Sequence, residues 1–170
     1  DAINVIQAGA DKILLNTHQY INKRLISELA HRLGSQAIVV GIDARRVNET
    51  THVTYSHCGT KEQEVSPTEA AKIAESEGAG EIVITSIDRD GTLEGYDLEL
   101  ISKVTETVRV PVIASGGAKD SNCFVDAVQK SGASAVAAGA PFHFTELTPD
   151  DARTAMRDAG IPVRQVLHNG

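Results

Sequence analysis

Two segments late in the chain hold residue types that could do chemistry: 84–92 (ITSIDRDGT) and 112–117 (VIASGG). Each is a β-branched apolar run ending in small polar residues and glycine. A buried parallel strand that delivers a catalytic or phosphate-binding loop at its C-terminal end has this pattern. Glycine there lets backbone N–H groups approach an anion, because no Cβ intervenes. Gly116-Gly117 and, one strand later, Gly139-Ala140 form the candidate phosphate cradle, the second pair just before a turn or short helix begun by Pro141. Asp43, Asp88 and Asp90 set carboxylates at strand ends. Asp90, followed by Gly91, is the first candidate for general acid–base work, with turn capping as the alternative. Asp88 and Arg89 could pair with each other, and Asp43 could hold the Arg45-Arg46 segment. The constellation points to an enzyme acting on a phosphorylated small molecule.

Positioning these residues requires strands that alternate with helices. Strand-like runs lie at 12–16, 37–43, 81–86, 110–115 and 134–139, with amphipathic helical stretches near 20–33, 67–77, 97–108, 122–131 and 150–159. Ser66-Pro67-Thr68-Glu69 and Thr148-Pro149-Asp150-Asp151 read as helix starts, each with a hydroxyl cap, a proline at the first position and a carboxylate at the third. Strands alternating with helices imply βα units and a parallel sheet. Gly9-Ala10-Asp11, Gly78-Ala79-Gly80 and Gly132-Ala133-Ser134 each close a helix and lead into a strand, the weak repeat that a barrel of βα units would leave. A whole (β/α)8 barrel has eight units and typically ~250 residues. Five units predict a single α/β domain over 1–170 that is the C-terminal part of a TIM barrel, with N-terminal units missing; an open doubly wound sheet is the competing fold. Residues 51–56 (THVTYS) alternate like a strand inside a long connection and predict a β-hairpin. Lys12 and Glu81 open their strands, at the opposite end from the candidate site, where they could pair across a barrel floor or simply cap the sheet.

The composition narrows the function further. The 170 residues carry a formal net charge of −7 with 4% aromatic residues and no tryptophan, so a nucleic-acid footprint of lysine and arginine is lacking. No apolar run approaches the roughly 18 residues of a membrane span. Cys58 and Cys123 are far apart in the chain, which favours a reducing, cytoplasmic setting. The six histidines (18, 31, 52, 57, 143 and 168) have no metal-ligand spacing, so neither a metal site nor a cofactor is expected. His143 is predicted to pack behind the last strand.

The ordered set Gly9-Ala10-Asp11-Lys12 through Asn16-Thr17, Gly34-Ser35-Gln36 to Ile42-Asp43-Ala44, Gly78-Ala79-Gly80-Glu81 through Asp90-Gly91-Thr92, Gly95-Tyr96-Asp97, Pro111 through Gly117, Phe142-His143-Phe144 and Gly160-Ile161-Pro162-Val163-Arg164 resembles the family of cyclase subunits of imidazole glycerol phosphate synthase. The resemblance implies a (β/α)8 barrel in histidine biosynthesis. Such a barrel receives ammonia from a glutaminase partner and converts the phosphoribulosyl-formimino ribotide PRFAR to imidazole glycerol phosphate and the carboxamide ribotide AICAR. It further implies that Asp90 is one of two catalytic carboxylates, the other lying on a first strand that is not in this chain, so the chain alone is expected to be inactive. By the same resemblance Asn16 and Thr17 match one phosphate end of the site, and Gly91, Gly116, Gly117, Gly139 and Ala140 match the other. Asp43, Thr85 and Ser115 match substrate-contacting or active-site positions. Lys12 and Glu81 match an ammonia gate, and Asp11 a residue facing the glutaminase.

The chain departs from the family in its hairpin loop, 57–65 (HCGTKEQEV), and in lacking the tryptophan usual in the helix after it; Ala140 stands for a common serine. Residues 132–139 (GASAVAAG) lean towards a paralogous branch that uses ammonia to amidinate nucleotide-linked sugars for surface polysaccharides. That branch is one alternative; a non-catalytic phosphate-binding half-barrel module is the other.

Overall fold

The computed structural model describes residues 1–164, and its architecture follows from one long apolar strand. Residues 38–44 alternate Ile, Val, Val, Gly, Ile, Asp, Ala, which suits a strand that is covered on one face and carries function on the other. That strand, β2 (Ile38–Arg46), lies at the centre of the sheet. Before it come α1 (Ala2–Gln7), β1 (Ile13–Leu15), α2 (His18–Ile21) and α3 (Leu25–Leu33). After it come β3 (His52–Ser56), β4 (Lys61–Glu62), α4 (Pro67–Ser76), β5 (Glu81–Ser86), α5 (Leu98–Thr105), β6 (Val112–Ser115), α6 (Ser121–Gln129), β7 (Ala135–Val136), α7 (Ala140–Phe144) and α8 (Pro149–Asp158).

The parallel strands pair in chain order, β1 with β2, β2 with β5, β5 with β6 and β6 with β7. Each new strand is added on the same side. A doubly wound sheet reverses its order part-way, whereas a barrel arc does not. The strand order therefore favours the barrel expectation over its competitor. Ile38, Val40, Ile42, Ile82 and Ile84 are fully buried, and form one core with Leu29, Ala71, Ala74, Leu100, Val104 and Phe124 from the helices. The alternate residues Gly41, Asp43, Val83, Thr85, Ile113 and Ser115 share the other face. On that face the register aligns Asp43 with Thr85 and Thr85 with Ser115.

Several elements differ from the sequence expectation for physical reasons. The helix predicted over 20–33 is broken after Ile21, where the Asn22 carboxamide accepts the Arg24 N–H at 3.1 Å and turns the chain. β2 runs three residues past Asp43, because Asp43, Ala44, Arg45 and Arg46 pair antiparallel with Tyr55, Thr54, Val53 and His52 of the predicted hairpin. The last strand is two residues long rather than six. His143 is exposed rather than packed behind it; Phe142 takes that place, its ring 6.1 Å from that of Phe124. The two predicted caps are present. Ser66 Oγ accepts the Glu69 N–H, and Thr148 and Asp151 form a reciprocal capping box. Each is worth about 1 kcal/mol. His168 lies outside the described residues.

Phe124, 1% exposed, seats α6 against Tyr96 and Phe142. Phe124→Ala is expected to lower stability by roughly 3–5 kcal/mol in urea unfolding. A loss below about 1 kcal/mol would mean that α6 is not seated as described.

Candidate functional site

The C-terminal ends of β5, β6 and β7 enclose a hollow of ≈ 160 Å³. It is lined by Asp90, Gly91, Ser115, Gly116, Gly117, Gly139 and Ala140, with Ala118, Ala137, Ala138 and Pro141. Seven of the predicted site residues thus meet in one place. Gly116 and Gly117 have φ of +84° and +97°. A Cβ on Gly116 would fall 2.4 Å from the Ser86 carbonyl oxygen, and one on Gly117 2.4 Å from that of Gly95. Only glycine fits where these loops cross. Among the described residues, the amides of Gly91, Gly116, Gly117 and Gly139 donate no hydrogen bond to another residue. Unpartnered N–H groups around a small polar hollow have the chemistry that an anion needs. Helix α7 behind it has five residues, so the amides outweigh any helix dipole.

A second cluster lies at the β1–β2 side. Asn16 follows β1, and its side chain acts on the half-buried Asp43 carboxylate. The Asn16 Oδ1 and the Tyr20 hydroxyl are buried without partners among the described residues. Thr17 Oγ1 accepts the His57 N–H at 2.9 Å from the hairpin tip, which leaves its own hydroxyl proton free to donate. Thr85 sits between the clusters, level with Asp43 and Ser115. Strands lie about 4.8 Å apart, so the Thr17 and Gly139 ends are separated by roughly 15–20 Å along the rim.

The carboxylates differ in environment. Burial pushes the Asp43 carboxyl above its usual range, the Asn16 hydrogen bond opposes this, and the charge of Asp90 adds to it. Asp90 is exposed on the rim. Asp88 accepts the Ser86 hydroxyl at 3.0 Å. The expected Asp88–Arg89 pair is not formed, because Arg89 Nη1 donates to the carbonyls of Gly95 and Tyr96 at 3.2 and 3.1 Å. Nor does Asp43 hold Arg45 and Arg46. The Arg45 guanidinium lies 4.7 Å over the Tyr55 ring, and Arg46 reaches Asp97.

That last contact is part of a group that the sequence reading did not single out. Asp97, whose side chain is 1% exposed, accepts hydrogen bonds from Arg46, from His52 Nε2 and from the Leu100 N–H. Burial alone would raise its pKa; these donors overrule it and hold it at about 2. The available signal was Asp97 as the cap of a predicted helix, which identifies one of its partners only.

Lys12 and Glu81 are ion-paired at the other end of the strands, with Asp11 exposed beside them. Among the described residues no cluster of His, Cys, Asp and Glu could hold a metal ion, and no helix is long and apolar enough to cross a membrane.

Residues 1–148 match the family described as "Histidine biosynthesis protein". The chain belongs to that family. It is 44% identical over 166 residues to "Imidazole glycerol phosphate synthase subunit HisF" of Hyphomonas neptunium, covering 98% of this chain and 66% of that protein. It is likewise 44% identical over 171 residues to the protein of that name from Corynebacterium glutamicum (strain R), covering 97% of this chain and 66% of the relative. The chain therefore spans about two-thirds of the length of the curated relatives it matches, and the family's barrel fold agrees with the five-strand arc.

The two carboxylates have opposite linkage. Asp43, raised in the fold, costs stability when ionised; Asp43→Asn is expected to unfold at higher urea than the parent at pH 8, with the gap closing below about pH 4. Asp97, lowered to about 2, contributes stability that is present above about pH 4 and fades as pH falls towards 2. Urea midpoints of the parent, Asp43→Asn and Asp97→Asn from pH 2 to 8 check both. Parallel curves would contradict both assignments.

Proposed function

We propose that this chain is the larger part of the cyclase of imidazole glycerol phosphate synthase, which uses ammonia from a glutaminase partner to convert PRFAR to imidazole glycerol phosphate and AICAR. The observation that carries the reading is the set of unpartnered amides at the ends of β5, β6 and β7, on the same rim as the half-buried Asp43. Anion sites at both ends of that rim, Asn16 and Thr17 on one side and Gly91, Gly116, Gly117, Gly139 and Ala140 on the other, suit a substrate with two phosphates. Backbone amides hold them inside an acidic protein, so no basic patch is needed. The substrate body then crosses Asp43, Thr85 and Ser115.

Proton transfer is assigned to Asp43 ahead of Asp90, reversing the order suggested by the sequence. A half-buried carboxyl whose pKa is raised by burial is better suited to exchanging a proton than a fully solvated one. Asp90 is exposed beside the phosphate cradle; its charge raises the Asp43 pKa further and its loop shapes one wall. The opposing carboxylate belongs to the part of the relatives' length that this chain does not cover, so the chain alone is inactive. Lys12 and Glu81 guard ammonia entry at the strand starts, Asp11 faces the glutaminase, and the enzyme works in the cytoplasm without metal or cofactor.

The test is ammonia-dependent PRFAR consumption by the full-length protein. Asp43→Asn is expected to lower kcat by roughly 100-fold or more. Asp90→Asn is expected to act more on KM than on kcat. If Asp90→Asn has the larger effect on kcat, the two assignments exchange. A folded, phosphate-binding protein that leaves PRFAR untouched sinks the histidine-pathway reading in favour of the sugar-amidinating branch. Lys12→Ala is expected to impair glutamine-driven turnover more than turnover with free ammonia, and equal effects would leave Lys12 a structural role only.

A further inference from the structure

We propose that Asp97 is a positioning residue for the site: by clamping Arg46 and His52 of the hairpin to the loop between β5 and α5, it sets where the phosphate cradle stands relative to Asp43. The proposal rests on the reaction proposed above for its turnover readout only.

A helix cap needs one hydrogen bond, which Asp97 supplies to the Leu100 N–H at 3.1 Å. That task does not explain the rest of its surroundings. Arg46 Nη2 donates to Oδ1 at 2.7 Å and to Oδ2 at 3.0 Å, Arg46 Nε donates to Oδ2 at 3.2 Å, and His52 Nε2 lies 2.9 Å from Oδ2. The carboxylate only accepts, so His52 carries a proton on Nε2. Its Nδ1 is buried without a partner among the described residues. Arg46 Nη1 is further tied to the Glu49 carbonyl and to Glu99, at 2.6 and 2.8 Å. An apolar cluster of the same volume would often be as stable as a buried ion pair, or more so. Retaining this one fixes a geometry.

The geometry in question reaches the site from both sides. Arg46, on the extension of β2 that begins at Asp43, is the cross-strand partner of His52 of β3. On the other side, the two residues before Asp97 brace the cradle. The Gly95 N–H donates to the Gly117 carbonyl at 2.7 Å, and the Tyr96 hydroxyl donates to the Ala137 carbonyl at 2.9 Å. Arg89, the neighbour of Asp90, holds the carbonyls of Gly95 and Tyr96. A shift of Asp97 would therefore move Gly117, Ala137 and the Asp90 loop together, while Asp43 stays with the sheet. Misplacing reacting groups by about 1 Å can cost 100-fold in rate.

Asp97→Asn keeps the helix cap and removes the charge that holds Arg46. In the full-length protein it is expected to lower ammonia-driven kcat by about 10-fold or more. It is also expected to weaken inorganic phosphate binding, followed through the amide NMR signals of Gly91, Gly116, Gly117 and Gly139. His52→Gln, whose amide can donate from near the Nε2 position, is expected to retain most of both, and His52→Leu to lose both. A purely structural Asp97 would lower the unfolding midpoint yet leave kcat, KM and phosphate affinity of the folded protein unchanged, which would overturn the proposal. Should Asp97→Asn fail to fold, the two His52 variants decide: equal behaviour overturns it, and recovery by glutamine upholds it. If the parent binds phosphate but does not consume PRFAR, the reaction reading fails, and the phosphate titrations alone still decide the positioning role.

Discussion

The buried Asp97 carboxylate is the constraint on which the rest of the rim depends. Taking a carboxylate out of water is expensive, and only a full set of donors makes it tolerable. Arg46, His52 and the Leu100 amide supply that set. Their positions come from three separate pieces of chain: the end of β2, the start of β3 and the first turn of α5. None of these can move without leaving a buried charge unpartnered, and breaking such a pair typically costs about 3–5 kcal/mol. The hairpin, a long excursion that could otherwise swing, is thereby fixed to the barrel wall. Its tip then reaches across to Thr17, where the His57 N–H meets the threonine hydroxyl.

Strand register divides the labour between the two ends of the sheet. Glu81 and Thr85 lie four residues apart on the same face of β5, about 13 Å along the strand. The Lys12–Glu81 pair at one end and the Asp43–Thr85–Ser115 row at the other are therefore fixed relative to each other by backbone hydrogen bonds alone. Between them lie Gly41 and small or β-branched side chains such as Val83 and Ile113. A parallel sheet in chain order makes this arrangement robust, because a slip by one residue would turn every functional side chain towards the helices.

Much of this was legible in the sequence, and the reason is local. β5 was readable to the residue, since Glu81–Ser86 holds a short β-branched apolar run closed on both sides by glycine-containing turns. The caps at Ser66 and Thr148 were readable because each is completed within four residues. Gly116 and Gly117 were readable as a tight crossing at a strand end, where both take positive φ and leave no room for a Cβ. What was not readable depends on distance in the chain. The carboxylate of Asp97 meets Arg46 and His52, 51 and 45 residues away, and nothing near any of the three announces the others. Arg89 illustrates the same limit: beside Asp88 it looked paired, yet its guanidinium goes to backbone carbonyls that only the fold brings near. The break after Ile21 was missed for the opposite reason, a local competition in which the Asn22 side chain captured a backbone amide from an otherwise helical pattern.

The ranking of Asp43 over Asp90 comes from the same physics. In sequence Asp90 is the more conspicuous, flanked by arginine and glycine in a polar loop. In the fold that polarity places it on the exposed rim, where water solvates its charge. Asp43 follows an almost wholly apolar strand, and this is what draws it half out of water and lifts its pKa. A carboxyl whose pKa is to be raised needs an environment that a surface loop cannot give. The charge of Asp90 adds to that rise across the width of β5.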